Sequence, residues 1–229
     1  DGMVGNYVTS IIEVATDEVW IGTEAGINVY DGNTVRPLDN KWLEGKPVED
    51  MMKDKAGNVW IGTYDNGLLK WNEHDPRHFT KENGLPTNYM YSLLQDNVGN
   101  IWIGTNGGGV SKFEGEMFTH MTMADGLTSN VVMSIVQDKR GNFWFATEEG
   151  LTRKSGDEYT HYTEEDGLPS NDLYYVYADR HNTIWVSTFT GVARIVDGQV
   201  FAYGEAEGFT NITATTFFED KFGQFWAGS

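Results

Sequence analysis

One heptad-like phrase recurs along the chain and constrains its fold more than any other feature. It reads Val19-Trp-Ile-Gly-Thr23, Gly57-Asn-Val-Trp-Ile-Gly-Thr63, Gly99-Asn-Ile-Trp-Ile-Gly-Thr105, Gly141-Asn-Phe-Trp-Phe-Ala-Thr147, Asn182-Thr-Ile-Trp-Val-Ser-Thr188 and Gly223-Gln-Phe-Trp-Ala-Gly-Ser229. The tryptophans are Trp20, Trp60, Trp102, Trp144, Trp185 and Trp226, spaced by 40, 42, 42, 41 and 41 residues. A fixed period of this size marks a repeat architecture in which each unit buries its faces only against its neighbours.

Each period divides into four short strand patterns. In the copy from Gly126 to Asp166, Val131–Gln137 is β-branched and continuous, as in a strand buried on both faces. Asp138-Lys-Arg-Gly-Asn142 supplies turn chemistry, and Phe143–Thr147 is the second strand. Leu151–Lys154 and Glu158–Thr163 are the third and fourth, joined by the hairpin signal Ser155-Gly156. Nothing sustains a 3.6-residue period, so almost no helix is expected. Four antiparallel strands per forty residues predict an all-β fold, the blades of a β-propeller. The single array spans residues 1–229, with approximate blades at 1–40, 41–82, 83–125, 126–166 and 167–207 and a partial blade at 208–229. The repeated tryptophans are expected to pack between blades. Five complete blades and two strands of a sixth lead to the expectation of a larger propeller of which this is part, or of one that completes its open blade with another chain.

The 34 acidic residues outnumber the 16 basic ones, for a net charge of −18. That argues against nucleic acid and against an anionic membrane surface, both of which need lysine and arginine. There are no cysteines, which excludes disulfides, thiolate metal sites and cysteine nucleophiles. No apolar run approaches the ~20 residues of a membrane span.

The composite of a Gly-Leu-Pro-Ser-Asn connector (Gly167–Asn171; compare Gly84–Asn88 and Gly126–Asn130), the Asp-x-x-Gly-Asn-x-Trp-Ile-Gly-Thr turn and strand, and later glycines resembles the two-component regulator propeller repeat. The resemblance covers essentially the whole chain. It implies a periplasmic or extracellular propeller of about seven blades in a bacterial sensor, often one that responds to oligosaccharides. The second connector departs from the pattern: Trp42 takes the place of its glycine and Lys46 that of its asparagine. In the sixth copy Ile212 holds the asparagine position, with Asn211 shifted by one.

No constellation suggests catalysis. His120 and His161 fall at equivalent fourth-strand positions, which do not converge. His74 and His78 flank Pro76 in a loop, so helical metal ligation does not apply. Each repeated turn offers one carboxylate, Asp54, Asp96, Asp138, Asp179 or Asp220, too few oxygens for calcium. Gly104–Gly109 joins two strands without a following helix, so it is no phosphate loop. Streptogramin lyases are similar-looking propellers in which a histidine and a metal act at the channel mouth, but no histidine falls in a turn between second and third strands. The expectation is therefore a non-catalytic chain with no cofactor and no metal.

Binding is read from where the repeat breaks its own rule, since structural positions should recur while a ligand touches only some blades. Tyr64 and Phe189 are aromatics in second-to-third-strand turns that elsewhere carry Glu or Asn. Tyr89 and Asp172 stand at the start of first strands, and Trp42 in a connector. With Asp65 and Glu148 they form the candidate set Trp42, Tyr64, Asp65, Tyr89, Glu148, Asp172 and Phe189, a mixture of flat apolar rings and hydrogen-bonding groups that suits an oligosaccharide. The expected function is an extracytoplasmic recognition module for a small ligand. The alternatives are an assembly propeller and a lyase-type enzyme.

Overall fold

The computed structural model describes residues 2–72, 74–204 and 214–228. Five four-stranded antiparallel sheets and one two-stranded sheet account for all the strands among them. Blade 1 comprises β1 (Val8–Ala15), β2 (Glu18–Thr23), β3 (Gly26–Tyr30) and β4 (Val35–Pro37). Blade 2 comprises β5 (Val48–Lys53), β6 (Val59–Thr63), β7 (Leu68–Trp71) and β8 (Arg77–Phe79). Blade 3 comprises β9 (Met90–Gln95), β10 (Ile101–Thr105), β11 (Val110–Phe113) and β12 (Phe118–Met121). Blade 4 comprises β13 (Val132–Gln137), β14 (Phe143–Thr147), β15 (Gly150–Ser155) and β16 (Glu158–Tyr162). Blade 5 comprises β17 (Leu173–Ala178), β18 (Ile184–Thr188), β19 (Gly191–Val196) and β20 (Gln199–Tyr203). The two-stranded sheet pairs β21 (Thr216–Glu219) with β22 (Phe225–Gly228). The sixth connector, with Asn211 and Ile212, lies outside the described residues.

The chain forms two compact units, Asp1–His120 and Met121–Ser229. In the first, β1 packs on β5 and β5 on β9; in the second, β13 packs on β17 and β17 on β21. First strands thus gather at the inner side of each unit and fourth strands lie outermost. Within each unit the core is a series of interfaces between successive sheets. Trp20, Val29, Leu43, Met51 and Ile61 fill the one between blades 1 and 2. Trp60, Leu85, Met90, Ile103 and Phe113 fill the next. Trp144, Leu151, Leu173 and Val186 do the same between blades 4 and 5.

Trp20, Trp60, Trp144 and Trp185 pack between blades, whereas Trp226 on β22 is 57% exposed, with no following sheet among the described residues to cover it. Trp60 is 2% exposed and lies 5.4 Å from the ring of Phe113 in the following blade. Trp20 meets Trp71 at 6.1 Å, and Trp185 stacks on Phe225 at 4.3 Å. The small residue two places after each tryptophan lets the next first strand approach. A Cβ on Gly62 would stand 3.0 Å from the Met90 Cβ, and one on Gly22 would stand 2.8 Å from Val48.

Among the described residues, three single-turn 3-10 helices, Lys81–Asn83, Met123–Asp125 and Glu164–Asp166, sit in the connectors. Each is closed by a reciprocal capping box, with Thr80 and Asn83, Thr122 and Asp125, or Thr163 and Asp166. The connector asparagine completes it. Asn88, Asn130 and Asn171 accept the first helical N–H at 2.7, 2.9 and 2.8 Å. The second connector, with Trp42 and Lys46 at the diverged positions, forms a plain turn over 41–45 instead, held by N–H groups of Leu43 and Glu44 on the Asn40 carbonyl.

Candidate functional site

Each blade exposes two kinds of turn, and the residues assign them different work. The turn between first and second strands is built by one carboxylate. Asp96 Oδ1 accepts the N–H groups of Val98 and Asn100 at 3.1 and 2.8 Å. Its Oδ2 accepts the Asn100 side chain at 2.8 Å and the Trp102 indole N–H at 2.9 Å. Asp54 and Asp138 repeat the arrangement with Trp60 and Trp144 at 2.8 and 3.1 Å. Burial would raise the Asp54 and Asp96 carboxyls, but the indole and asparagine donors outweigh it and hold both below the usual range. Asp138 is lowered in the same way, with Asn142 the leading donor. Blade 1 has no such aspartate, and Glu18 takes the Trp20 indole at 2.7 Å. In blade 5, Asn182 adopts the positive φ (66°) that glycine supplies elsewhere. The aspartate carboxylates of these turns are committed to the fold.

The turn between second and third strands is fixed only at its ends. The threonines at 23, 63, 105, 147 and 188 are buried and donate Oγ1 to the closing glycine carbonyl, at 2.8–2.9 Å. One residue further on, the backbone N–H reaches the start of its own first strand. Tyr64 donates to Pro47, Asn106 to Tyr89 and Phe189 to Asp172, at 3.0, 3.0 and 2.9 Å. These bonds place turn and connector on one face of each blade and leave the side chains between the anchors free to vary.

In the first unit this face brings Tyr64 and Tyr89 together, ring centroids 5.3 Å apart and edge to face. They remain 43% and 41% exposed. Asp65, beside Tyr64, pairs with Lys46 at 3.4 Å across exposed surface. The Lys46 that breaks the connector pattern therefore holds the turn's carboxylate. Trp42 is turned another way. Its ring packs 5.8 Å from His78 on the outermost strand β8, with the Lys41 ammonium 5.1 Å from its centroid. Only its carbonyl joins the turn, accepting the Asn66 side chain at 2.6 Å.

In the second unit Phe189 is 61% exposed at the turn tip. Its N–H bonds the Asp172 carbonyl, and Asp172 is anchored by its own N–H on Ser170 Oγ at 3.1 Å. Burial and then the Asp172 charge raise the neighbouring Tyr174 phenol. Glu148 accepts Ser129 Oγ at 3.2 Å and is otherwise open to solvent. A cleft of 320 Å³ on the same kind of face, between the Ala25-Gly26 turn and the second connector, was not signalled by the sequence. Leu38, Asn40, Leu43 and Glu44 line it, and none of them interrupts a recognisable motif.

The histidines do not gather. His120 meets Ser111 Oγ at 3.0 Å, His161 faces the Gly126 carbonyl at 2.8 Å, and His78 faces that of Asn66 at 2.6 Å. Among the described residues no group of three His, Asp or Glu is placed to hold a metal ion.

Four segments, residues 43–65, 84–107, 126–149 and 167–190, match the two component regulator propeller family. Each runs from a connector to a second-to-third-strand turn. No curated protein is similar enough to match the chain. Among solved structures, the extracellular domain of a protein described as a hybrid two component system from B. thetaiotaomicron aligns over 99% of this chain and 38% of its own, at 23% identity and a TM-score of 0.66. A second such domain from the same organism aligns over 97% of this chain and 34% of its own, at 20% identity and a TM-score of 0.80. The chain thus spans little more than a third of these domains. Virginiamycin B lyase from Staphylococcus aureus, solved with quinupristin, aligns over 98% of this chain and 78% of its own, at 15% identity and a TM-score of 0.76.

Proposed function

We propose that this chain, which carries four two-component regulator propeller repeats, is a non-catalytic recognition module of an extracytoplasmic bacterial sensor, and that it takes a small neutral oligosaccharide on its turn-and-connector face. The observation that carries the reading is the exposed Tyr64–Tyr89 pair, 5.3 Å apart, with Asp65 adjoining. Two phenols set edge to face offer an apolar surface for the C–H face of a sugar ring and hydroxyls for its edge. Asp65 adds acceptors for sugar hydroxyls, and its partner Lys46 adds donors. Trp42, packed on the outermost strand, shapes the turn from beneath through its carbonyl bond to Asn66. In the other unit Phe189, whose N–H bonds the Asp172 carbonyl, offers a single exposed ring on the same kind of face, and Glu148 an exposed carboxylate in the turn of the preceding blade. Similarity to extracellular domains of two component systems supports the extracytoplasmic setting.

The test is a thermal-shift screen of the purified chain against cello-, xylo-, malto- and fructo-oligosaccharides. A ligand at ~100 times its dissociation constant stabilises by about 2.7 kcal/mol. The expected result is a shift for one series that disappears in Tyr64→Ala and is reduced in Tyr89→Ala. A shift that survives both substitutions would remove these residues from the site, and no shift with any series would remove neutral oligosaccharides as the ligand class.

A further inference from the structure

On the opposite side of the second unit, where the first-to-second-strand turns lie, blades 4 and 5 enclose a cleft of 430 Å³. Its wall includes Arg153, whose place in the repeat makes it informative. Strand three carries a cation directly across from the tryptophan in four blades: Lys70 opposite Trp60, Lys112 opposite Trp102, Arg153 opposite Trp144 and Arg194 opposite Trp185. Lys112 is neutralised by Glu114 at 2.6 Å. Arg194, whose Nε, like that of Arg153, is buried without a hydrogen-bond partner, lies over Phe201 and Tyr203 at 5.2 and 5.6 Å and does not line the cleft, so the cleft is what sets Arg153 apart. Arg153 lies over Trp144 at 5.5 Å, and its Nε is buried with no hydrogen-bond partner. It enters none of the ion pairs among the described residues. In a chain with 34 carboxylates, a half-buried guanidinium without one calls for a ligand.

The surrounding charges fit an anion. Asp138 lines the cleft, but its carboxylate is consumed by the Arg140 and Asn142 N–H groups, the Asn142 side chain and the Trp144 indole. Arg140 and His181 stand at the exposed mouth. Asp197 reaches Arg140 only at 3.7 Å, with both side chains largely in solvent, so this pair is readily exchanged. Arginine presents a planar fork of donors that matches a carboxylate or sulfate, and the neighbouring Trp144 ring limits the positions it can take. We propose that this cleft binds a small oxyanion, a carboxylate or sulfate group, with Arg153 as its fork and Arg140 turning from Asp197 to close on it. The net charge of −18 repels anions at long range, so affinity comes from this local geometry.

The test uses the whole chain, labelled with nitrogen-15, titrated with sodium sulfate and separately with sodium citrate against sodium chloride of equal ionic strength. The expected result is a saturable shift of the Arg153 Nε–H signal with sulfate or citrate and none with chloride. Sulfate alone would assign a tetrahedral oxyanion, citrate alone a carboxylate. Arg153→Lys, which installs the residue type of blades 2 and 3, is expected to fold with an unchanged melting temperature and to weaken binding about tenfold or more. Arg194→Lys is expected to leave it unchanged. No saturable response to either anion up to ~10 mM, or equal affinity in Arg153→Lys, would overturn the proposal.

Discussion

The first-to-second-strand turns and the second-to-third-strand turns recur in the same blades and behave oppositely. In the first kind almost every polar atom is used: Asp96 alone receives two backbone N–H groups, an amide and an indole. In the second kind a buried threonine and a glycine hold the ends, and the tip carries an exposed Glu, Tyr or Phe, or in blade 3 the half-buried Asn106, whose amide donates to the Tyr91 hydroxyl at 2.8 Å. The difference teaches that repetition in a propeller reports internal hydrogen bonds, while variation between fixed anchors reports freedom to bind. It also separates two sets of carboxylates, those that the fold lowers and those that it leaves to solvent. Glu24 in blade 1 is the exception: its carboxylate accepts the Asn6 and Tyr7 N–H groups at 3.0 and 2.9 Å, which hold it below the usual range.

Substitutions at the two kinds of turn can break this contrast. The largest effect is expected at the packing residue served by the first kind. Trp60→Ala leaves a cavity between blades 2 and 3 and should cost about 3–5 kcal/mol, read from the urea unfolding midpoint. Asp96→Ala strands four donors, one of them the buried Trp102 indole, and should cost about 2–4 kcal/mol by the same measurement.

Asp50 sharpens the contrast from a third region, the inner strand β5. Its carboxylate accepts Leu93 N–H from the next blade at 2.8 Å, at the repeat position that Ser10, Ser92 and Ser134 hold elsewhere. The residue keeps some exposed surface, yet its carboxyl is enclosed by protein, and burial pushes it up to about 6. A carboxyl raised above its unfolded value binds more protons in the folded state, so stability falls as pH rises from ~4 to ~6. The lowered Asp54, Asp96 and Asp138 act in the opposite sense, stabilising at neutral pH and losing that contribution as pH drops through their folded values. Asp50→Ser should therefore stabilise by roughly 1–2 kcal/mol at pH 7 and lose its advantage below pH ~4. Unfolding midpoints across pH would show the two curves converging on the acid side. The smallest effect is expected at the second kind of turn, where Tyr64→Ala should change stability by less than about 0.5 kcal/mol.

Much of this was legible in the sequence because the repeat compares the chain with itself. Six tryptophans at a forty-residue spacing located the blades, and strand ends such as Phe143–Thr147 follow from the flanking turn residues. The six-residue offset from Asp to Trp was visible, but the bond between them was not. The intervening turn, with Gly57, Gly99 or Gly141 at positive φ, is what folds the carboxylate back onto the indole. The connector 3-10 turns escaped because three residues cannot show a period. Their signal lies in Thr163-Glu-Glu-Asp166 followed by glycine, a capping box at the junction of the fourth strand and the connector. Among candidate site residues, Tyr64 and Tyr89 lie side by side because a blade's turn abuts the next blade's first strand, whereas Trp42, in the same sequence neighbourhood, faces the outer strand. Exposure and direction depend on neighbours distant in sequence, such as Tyr89 for Tyr64 and His78 for Trp42, which the local sequence does not encode.

The most direct test of this division of labour is urea unfolding of Asp96→Asn and Tyr64→Ala side by side with the parent chain. Asp96→Asn keeps the shape of the side chain while removing its charge and one acceptor. The account predicts a clear fall in its midpoint and a midpoint for Tyr64→Ala that overlays the parent. Equal falls, or a larger one for Tyr64→Ala, would mean that the variable turns hold the fold as firmly as the repeated ones, and the basis for placing a ligand there would be gone.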